Sequence, residues 1–291
     1  MRCLVTGATG HIGSFLTRLL VERGHSVSAL IRPSSDLWRL DGVTDRVHVI
    51  QGDLANLSGA EAGLLEAAPE TVFHLAWCGV TADTRNVPEN AAASVAGSLE
   101  LFRIAKTAGC RCWVSLGSQA EDVPDTPYGA AKLNLCRALE PLCQETAIRL
   151  VWLRLLAAYG PADDPRHLIP FVISRLLAGE VPVLTSTGAQ QWDYLYVEDA
   201  VEAIYRAAVS PSAQGVYHLA SGELSTVRAL AGRIRELINP ALPLRFGDVT
   251  VPSLRADVTR LRAALNWVPQ TSLDTGLKKT LEWHRSRKQN S

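Results

Sequence analysis

The N-terminal stretch Arg2-Cys3-Leu4-Val5-Thr6-Gly7-Ala8-Thr9-Gly10-His11-Ile12-Gly13 decides how the chain is read. Residues 3–5 form a short apolar run with the character of a buried strand. The run ends in a turn with glycines at 7, 10 and 13, and Ile12, Phe15, Leu16, Leu19 and Leu20 then recur at helical spacing. In such a strand–turn–helix each glycine has a physical task. Gly7 permits the tight turn, Gly10 lets the backbone approach a pyrophosphate, and Gly13 lets helix and strand pack closely. The helix N-terminus behind them offers N–H groups and the positive end of a dipole to the phosphates.

Outward from this turn, strands are predicted at 26–31, 47–50, 71–76, 112–116 and 149–157, with long helical patterns at 91–108 and 128–143. Short apolar runs alternating with helices imply βαβ units. The predicted fold is α/β, a doubly wound parallel sheet of the Rossmann kind with a small C-terminal substrate lobe. The second half is less regular. It reads as a helix at 169–178, a strand at 193–197, helices at 198–209 and 227–238 with a strand at 216–219 between them, and a polar helical tail from 261 anchored by Trp267 and Trp283. The predicted domains are 1–160 with 193–219 for the dinucleotide, and 161–192 with 220–291 for the substrate.

Composition narrows the function. The 29 Lys and Arg balance the 29 Asp and Glu, with no basic block or acidic tail, which argues against nucleic acid or a membrane surface as partner. No apolar run approaches the roughly 20 residues that span a bilayer, and no leader pattern opens the chain. The six cysteines lie mostly in apolar runs and read as small buried hydrophobes in a reducing cytoplasm. Cys110 and Cys112 have no second pair at metal spacing, so no metal is expected.

The second informative stretch is Tyr128-Gly129-Ala130-Ala131-Lys132. Residues four apart share a helix face, so an ammonium lies one turn from a phenol and is expected to lower its pKa. It follows Val114-Ser115-Leu116-Gly117-Ser118, a strand end carrying hydroxyls. In open parallel sheets ligands bind beyond the carboxyl ends of the strands. Ser118 is therefore expected to hydrogen-bond a substrate oxygen while Tyr128 transfers a proton. Ser115 reads as a packing residue and His74 as a core histidine. Arg32 ends the second strand where an acidic residue would favour a ribose 2′-hydroxyl. A guanidinium there, with Ser34 and Ser35, suits a 2′-phosphate, so NADP(H) is preferred over NAD(H).

Thr6-Gly7-x-x-Gly10-x-x-Gly13, His74-Leu75-Ala76, Ser118 with Tyr128-x-x-x-Lys132, Tyr159-Gly160-Pro161 and Tyr194-x-Tyr196-Val197-x-Asp199 occur in one order. In this the chain resembles the extended short-chain dehydrogenases/reductases of the NAD-dependent epimerase/dehydratase type. The stretch 191–196 is similar to that of nucleotide-sugar 4-ketoreductases such as CDP-abequose synthase. The resemblance implies cofactor contacts at Gly7, Thr9, Gly10, His11, Ile12, Gly13 and Arg32. It adds Asp53 at the adenine amino group, Leu54, Leu75, Ala76 and Tyr128 among the other cofactor contacts, and Lys132 at the nicotinamide ribose. Substrate contacts are implied at Ser118, Gln119, Tyr128 and Trp192. Gln119-Ala120 stands where dehydratases carry an Asp-Glu pair, and Ala120 replaces the cysteine of two-base epimerase-reductases. Trp192 and Ala157 replace an Arg and an Asn that contact a diphosphate. The implied activity is NADPH-dependent reduction of a ketone on a 4-keto-6-deoxy sugar, which the resemblance implies is nucleotide-linked. The alternatives are epimerisation with a retained NAD or reduction of a non-nucleotide carbonyl compound. A homodimer paired through helices 91–108 and 128–143 is also implied.

Overall fold

The apolar run at the N-terminus becomes β1 (Arg2–Thr6), buried from Cys3 onward, and α1 (His11–Glu22) follows the glycine turn. The computed structural model describes residues 1–80 and 83–289. The chain continues with β2 (Ser26–Ile31), β3 (Val47–Gln51), α2 (Glu61–Ala67), β4 (Thr71–His74), α3 (Pro88–Thr107), β5 (Cys112–Ser118), α4 (Pro127–Thr146) and β6 (Arg149–Leu155). Then come β7 (Ala157–Tyr159), α5 (Leu168–Leu177), β8 (Val183–Ser186), β9 (Gln191–Tyr196), α6 (Val197–Val209), β10 (Gly215–Leu219) and β11 (Leu224–Thr226). The last elements are α7 (Val227–Ile238), β12 (Arg245–Val249), α8 (Thr259–Leu265) and α9 (Leu273–Gln289).

Seven strands form one sheet in the order β10-β6-β5-β4-β1-β2-β3, and the pairings from β6 to β3 are parallel. The predicted doubly wound α/β fold is therefore the observed one. The chain winds one way from β1 to β3 and the other way from β4 to β6. The order reverses at β1, the place where such sheets open a ligand crevice. Register levels the strand ends there: Thr6 lies opposite both Leu30 and His74, and His74 opposite Ser115. β5 runs on to Ser118, so its end stands beyond that of β4. Strands covered on both faces are apolar throughout. Leu4, Ile50, Val72, Trp113 and Trp152 pack with Leu101 and Phe102 of α3 and Leu135 and Leu139 of α4.

Two compact units emerge. The first is Met1–Leu155 with Val201–His218 and Arg260–Asn266, and the second is Leu156–Ala200 with Leu219–Thr259 and Trp267–Ser291. These differ from the predicted ranges at 156–160, 193–200, 219 and 260–266. Residues 193–200 join the second unit, because β9 pairs with β7 and β11 in a separate three-stranded sheet. Residues 260–266, most of α8, join the first. The strand predicted at 149–157 is two strands, since β6 stays in the large sheet and β7 leaves it. α2, β8, β11 and β12 were not anticipated. Each is short, and β12, with the sequence RFGDV, is mostly exposed and carries no apolar alternation. The helical tail breaks after α8, where Asn266 adopts a left-handed φ of 43°.

In the second unit the acidic members of the Tyr-x-Tyr-Val-x-Asp region are structural. Asp193 is buried and accepts from the Ser221 N–H and hydroxyl and the Gly222 N–H. Asp199, in the first turn of α6, accepts from the Gln270 and Thr271 N–H groups at 2.9 Å each.

Candidate active site

The glycine turn has the geometry its sequence dictates. Gly7 has φ +73°, and a Cβ there would lie 2.9 Å from the Ala76 nitrogen. A Cβ at Gly13 would lie 2.0 Å from the Gly7 carbonyl oxygen, so only glycine lets α1 start against the end of β1. Gly10 closes the turn by donating to the Gly7 carbonyl at 3.0 Å and serves as the N-cap of α1 without a side-chain cap. No acidic residue occupies the first turn of α1. The early N–H groups, at His11, Ile12 and Gly13, lack intrahelical acceptors and present a site for phosphate oxygens. The turn therefore fits a dinucleotide.

Thr6 ties β1 to β4 beside this turn. Its hydroxyl oxygen accepts from the Leu75 and Ala76 N–H groups at 3.2 and 3.1 Å and donates to His74 Nδ1 at 2.9 Å. His74 Nε2 lies 2.8 Å from Ser98 Oγ, whose own proton goes to the Ser94 carbonyl. The imidazole is thus neutral with its proton on Nε2, and burial pushes its pKa down to about 3. His74 is a core residue that holds Leu75 and Ala76 in place.

The other predicted cofactor residues fall into distinct settings. Arg32 is exposed at the end of β2. Asp53 closes a turn, its Oδ1 accepting from the Ala55 N–H at 2.9 Å. Leu54 points into the core, and its carbonyl oxygen would lie 1.9 Å from a Cβ at Gly97, so α3 packs directly on this loop. The Thr9 carbonyl accepts from Arg39, whose guanidinium lies 4.4 Å above the Trp38 ring. Arg39 is a second cation at the glycine turn that sequence reading missed, because it arrives on a one-turn helix, Trp38–Leu40, with no motif of its own.

Ser118, Tyr128 and Lys132 do converge. Ser118 ends β5 and caps the one-turn helix Gln119–Glu121, and its side chain lies beside Tyr128, whose pKa it lowers. Tyr128 lies in the first turn of α4, which is capped by Thr126 and started by Pro127. A Cβ at Gly129 would lie 2.3 Å from the Ala120 carbonyl oxygen. The missing side chain is what lets α4 rest on the turn after Ser118. Lys132 is buried one turn further on and donates to the Leu116 carbonyl at 2.7 Å.

The electrostatics correct one expectation. Burial pushes the Tyr128 pKa up, opposed by the Ser118 side chain and reinforced by Glu121. Lys132 does not lower it, because the ammonium is turned to Leu116 and to the face of Trp77, 4.1 Å from the ring centroid. Burial lowers the Lys132 pKa to about 8 against the opposing field of Glu121. Trp77 also packs edge-on to Tyr128 at 5.9 Å. Neither Trp77 nor Glu121 was singled out from sequence. Trp77 gives no local signal, whereas Ser118-Gln119-Ala120-Glu121 has the spacing of a capping box, which is what it forms.

Gln119 lies in that one-turn helix, half-buried. Trp192 belongs to the second unit, on β9, where its indole N–H donates to the Pro252 carbonyl at 3.4 Å and its ring leans on Tyr194.

Comparison with known proteins agrees with this geometry. The model of the NAD dependent epimerase/dehydratase family matches residues 3–220. A UDP-glucose 4-epimerase of Mycolicibacterium smegmatis is 32% identical, covering 99% of this chain and 100% of its own. The UDP-glucose 4-epimerase of Thermotoga maritima, solved with UDP-glucose, superposes with a TM-score of 0.88 at 25% identity over 99% of both chains. The Thermus thermophilus UDP-glucose 4-epimerase, solved with NAD, has a TM-score of 0.86 at 24% identity over 98% of this chain and 99% of its own, a likeness of fold. With the glycine turn and the Ser118–Tyr128–Lys132 set inside the matched span, the chain belongs to the NAD-dependent epimerase/dehydratase family.

Proposed function

We propose that the protein transfers a hydride and a proton at one ring carbon of a nucleotide sugar, and that its reaction is the 4-epimerisation of a UDP-hexose. The observation that carries this is the convergence of Ser118, at the end of β5, with Tyr128 in the first turn of α4 and Lys132 one turn further on. The whole-length likeness to a UDP-glucose 4-epimerase supports the choice of substrate. A bound nicotinamide dinucleotide supplies the hydride chemistry. Ser118 orients the sugar oxygen, Tyr128 takes its proton on oxidation and returns it on reduction, and Lys132 keeps a buried positive charge one turn from Tyr128.

A second reading, reduction of a nucleotide-linked 4-keto-6-deoxy sugar with NADPH, is favoured by two observations. Arg32 is exposed at the end of β2, and burial pushes the Tyr128 pKa up, which favours the proton-donating phenol a reductase uses. Under either reading we assign Gly7, Gly10, Gly13 and the first turn of α1 to the pyrophosphate, and we infer a dimer across α3 and α4.

Incubation with UDP-glucose or UDP-galactose, followed by NMR of the sugar, tests epimerisation. NADPH consumption with a nucleotide-linked 4-keto sugar tests the second reading. Tyr128→Phe keeps the ring and removes the proton carrier, so cofactor affinity is expected to survive while turnover falls by roughly 10²–10⁴. Full activity in that variant rejects both readings.

A further inference from the structure

We infer that Glu121 is a positioning residue whose buried carboxylate holds the Ser118 backbone so that the Ser118 hydroxyl meets Tyr128. This rests on the reading above in which Ser118 and Tyr128 serve the reacting oxygen.

The carboxylate is wholly enclosed, with its side chain 0% exposed. It accepts from the Ser118 N–H at 2.7 Å, from the Trp152 indole N–H at 2.9 Å and from Arg154 Nε at 2.9 Å. Trp152 and Arg154 both come from β6, the strand beside β5. The last residues of β5 are thus gripped by a group that folds back beneath them. Gly117 makes room for this, since a Cβ there would lie 2.2 Å from Trp152 Nε1 and 2.5 Å from Glu121 Oε1. The next residue extends the tie: Asp122 accepts from Arg154 Nη1 at 2.8 Å and lies 3.0 Å from His218 Nε2 on β10. On the other side, Gly129 brings α4 onto the Ala120 carbonyl. Ser118 therefore has its backbone fixed from β6 and Tyr128 set against its hydroxyl from α4.

Packing alone does not call for this arrangement. A buried carboxylate is costly even when paired, and an apolar side chain would fill the space beside Trp152 at lower cost. What an apolar residue cannot do is accept the Ser118 N–H. Misplacing a reacting group by about an ångström costs up to roughly 100-fold in rate, which is the scale on which such a clamp acts.

The test is a double-mutant cycle of Glu121→Gln with Ser118→Ala, measured on whichever sugar nucleotide the protein turns over. Glu121→Gln is expected to lower kcat by roughly 10- to 100-fold with KM and cofactor Kd within about threefold. In the Ser118→Ala background the same change is expected to cost less than about twofold, because Glu121 acts through Ser118. Trp152→Phe removes one donor to Glu121 without changing charge. It is expected to give a smaller kcat loss that also vanishes in the Ser118→Ala background, and it reports if Glu121→Gln does not fold. Wild-type turnover in Glu121→Gln, or equal fold-losses with and without the Ser118 hydroxyl, overturns the inference. If Tyr128→Phe is inactive while Glu121→Gln is fully active, the Glu121 inference fails alone. If Tyr128→Phe is fully active, the underlying reading fails first.

Discussion

Lys132 shows what the site costs the fold. Its ammonium is buried with the Leu116 carbonyl as hydrogen-bond acceptor, and its pKa falls from 10.5 to about 8. Below pH 8 the folded and unfolded chains both carry this proton, and the folded state bears the full cost of the buried charge. Between pH 8 and 10.5 the unfolded chain binds the proton more strongly, so this cost is relieved as pH rises through that window. Lys132→Met is therefore expected to be inactive yet more stable at pH 7, by about 2 kcal/mol in urea unfolding, with the gain largely gone at pH 10.5. An equal loss of stability at both pH values would contradict this. At the other end of the crevice, Arg32→Ala is expected to weaken NADPH by roughly 10- to 100-fold and NADH by far less, as read by fluorescence titration. Equal affinity of the native protein for the two cofactors would reject the NADP assignment. Tyr128, Lys132 and Ser118 were legible because a spacing of four on a helix and a position at a strand end are local facts. The pKa relation between Tyr128 and Lys132 was not legible, because it depends on where Trp77 and Leu116 sit.

Elements are held at their ends by groups from elsewhere in the chain, and Arg149 on β6 is the clearest case. Its guanidinium donates to the Ala207 and Ala213 carbonyls at 2.8 and 2.7 Å and also to the Ala208 carbonyl. The first and last of these in α6 are terminal carbonyls without intrahelical donors, at the negative end of the helix dipole. Arg149→Met keeps the stem and removes every donor. It is expected to cost about 2–4 kcal/mol in denaturant midpoint analysis. A change below about 0.5 kcal/mol would mean that water serves these carbonyls equally well. Long periodic elements were legible: β2 and α7 fall on the predicted residues, and α1 follows its apolar stripe. Short edge strands such as β8 and β12 were not, because their pairing with each other supplies what their residues lack in propensity.

At the level of the whole molecule, α3 and α4 were expected to be apolar on more than one face. The structure turns Leu101, Phe102, Ile104, Leu135 and Leu139 into the core. What remains outward is an open groove lined mainly by small residues, including Ala92, Ala96, Leu99 and Ala131. Small residues let two helix pairs approach closely, and a two-fold dimer through this face is the expected assembly. Ala96→Arg places a charge on the exposed edge of the groove and is expected to halve the mass seen by light scattering. A native mass of one chain at micromolar concentration would count against the dimer. The glycine turn, the alternation of strand and helix and the Tyr-x-x-x-Lys pair were determined by sequence alone, because φ preference, periodicity and helical spacing act within a dozen residues. Which sheet β9 joins and what encloses Glu121 were decided only by tertiary structure. The partners of Glu121 on β6 stand 31 and 33 positions away in the chain. Strand pairing and the burial of a charge are settled by residues distant in sequence that only the folded chain brings together.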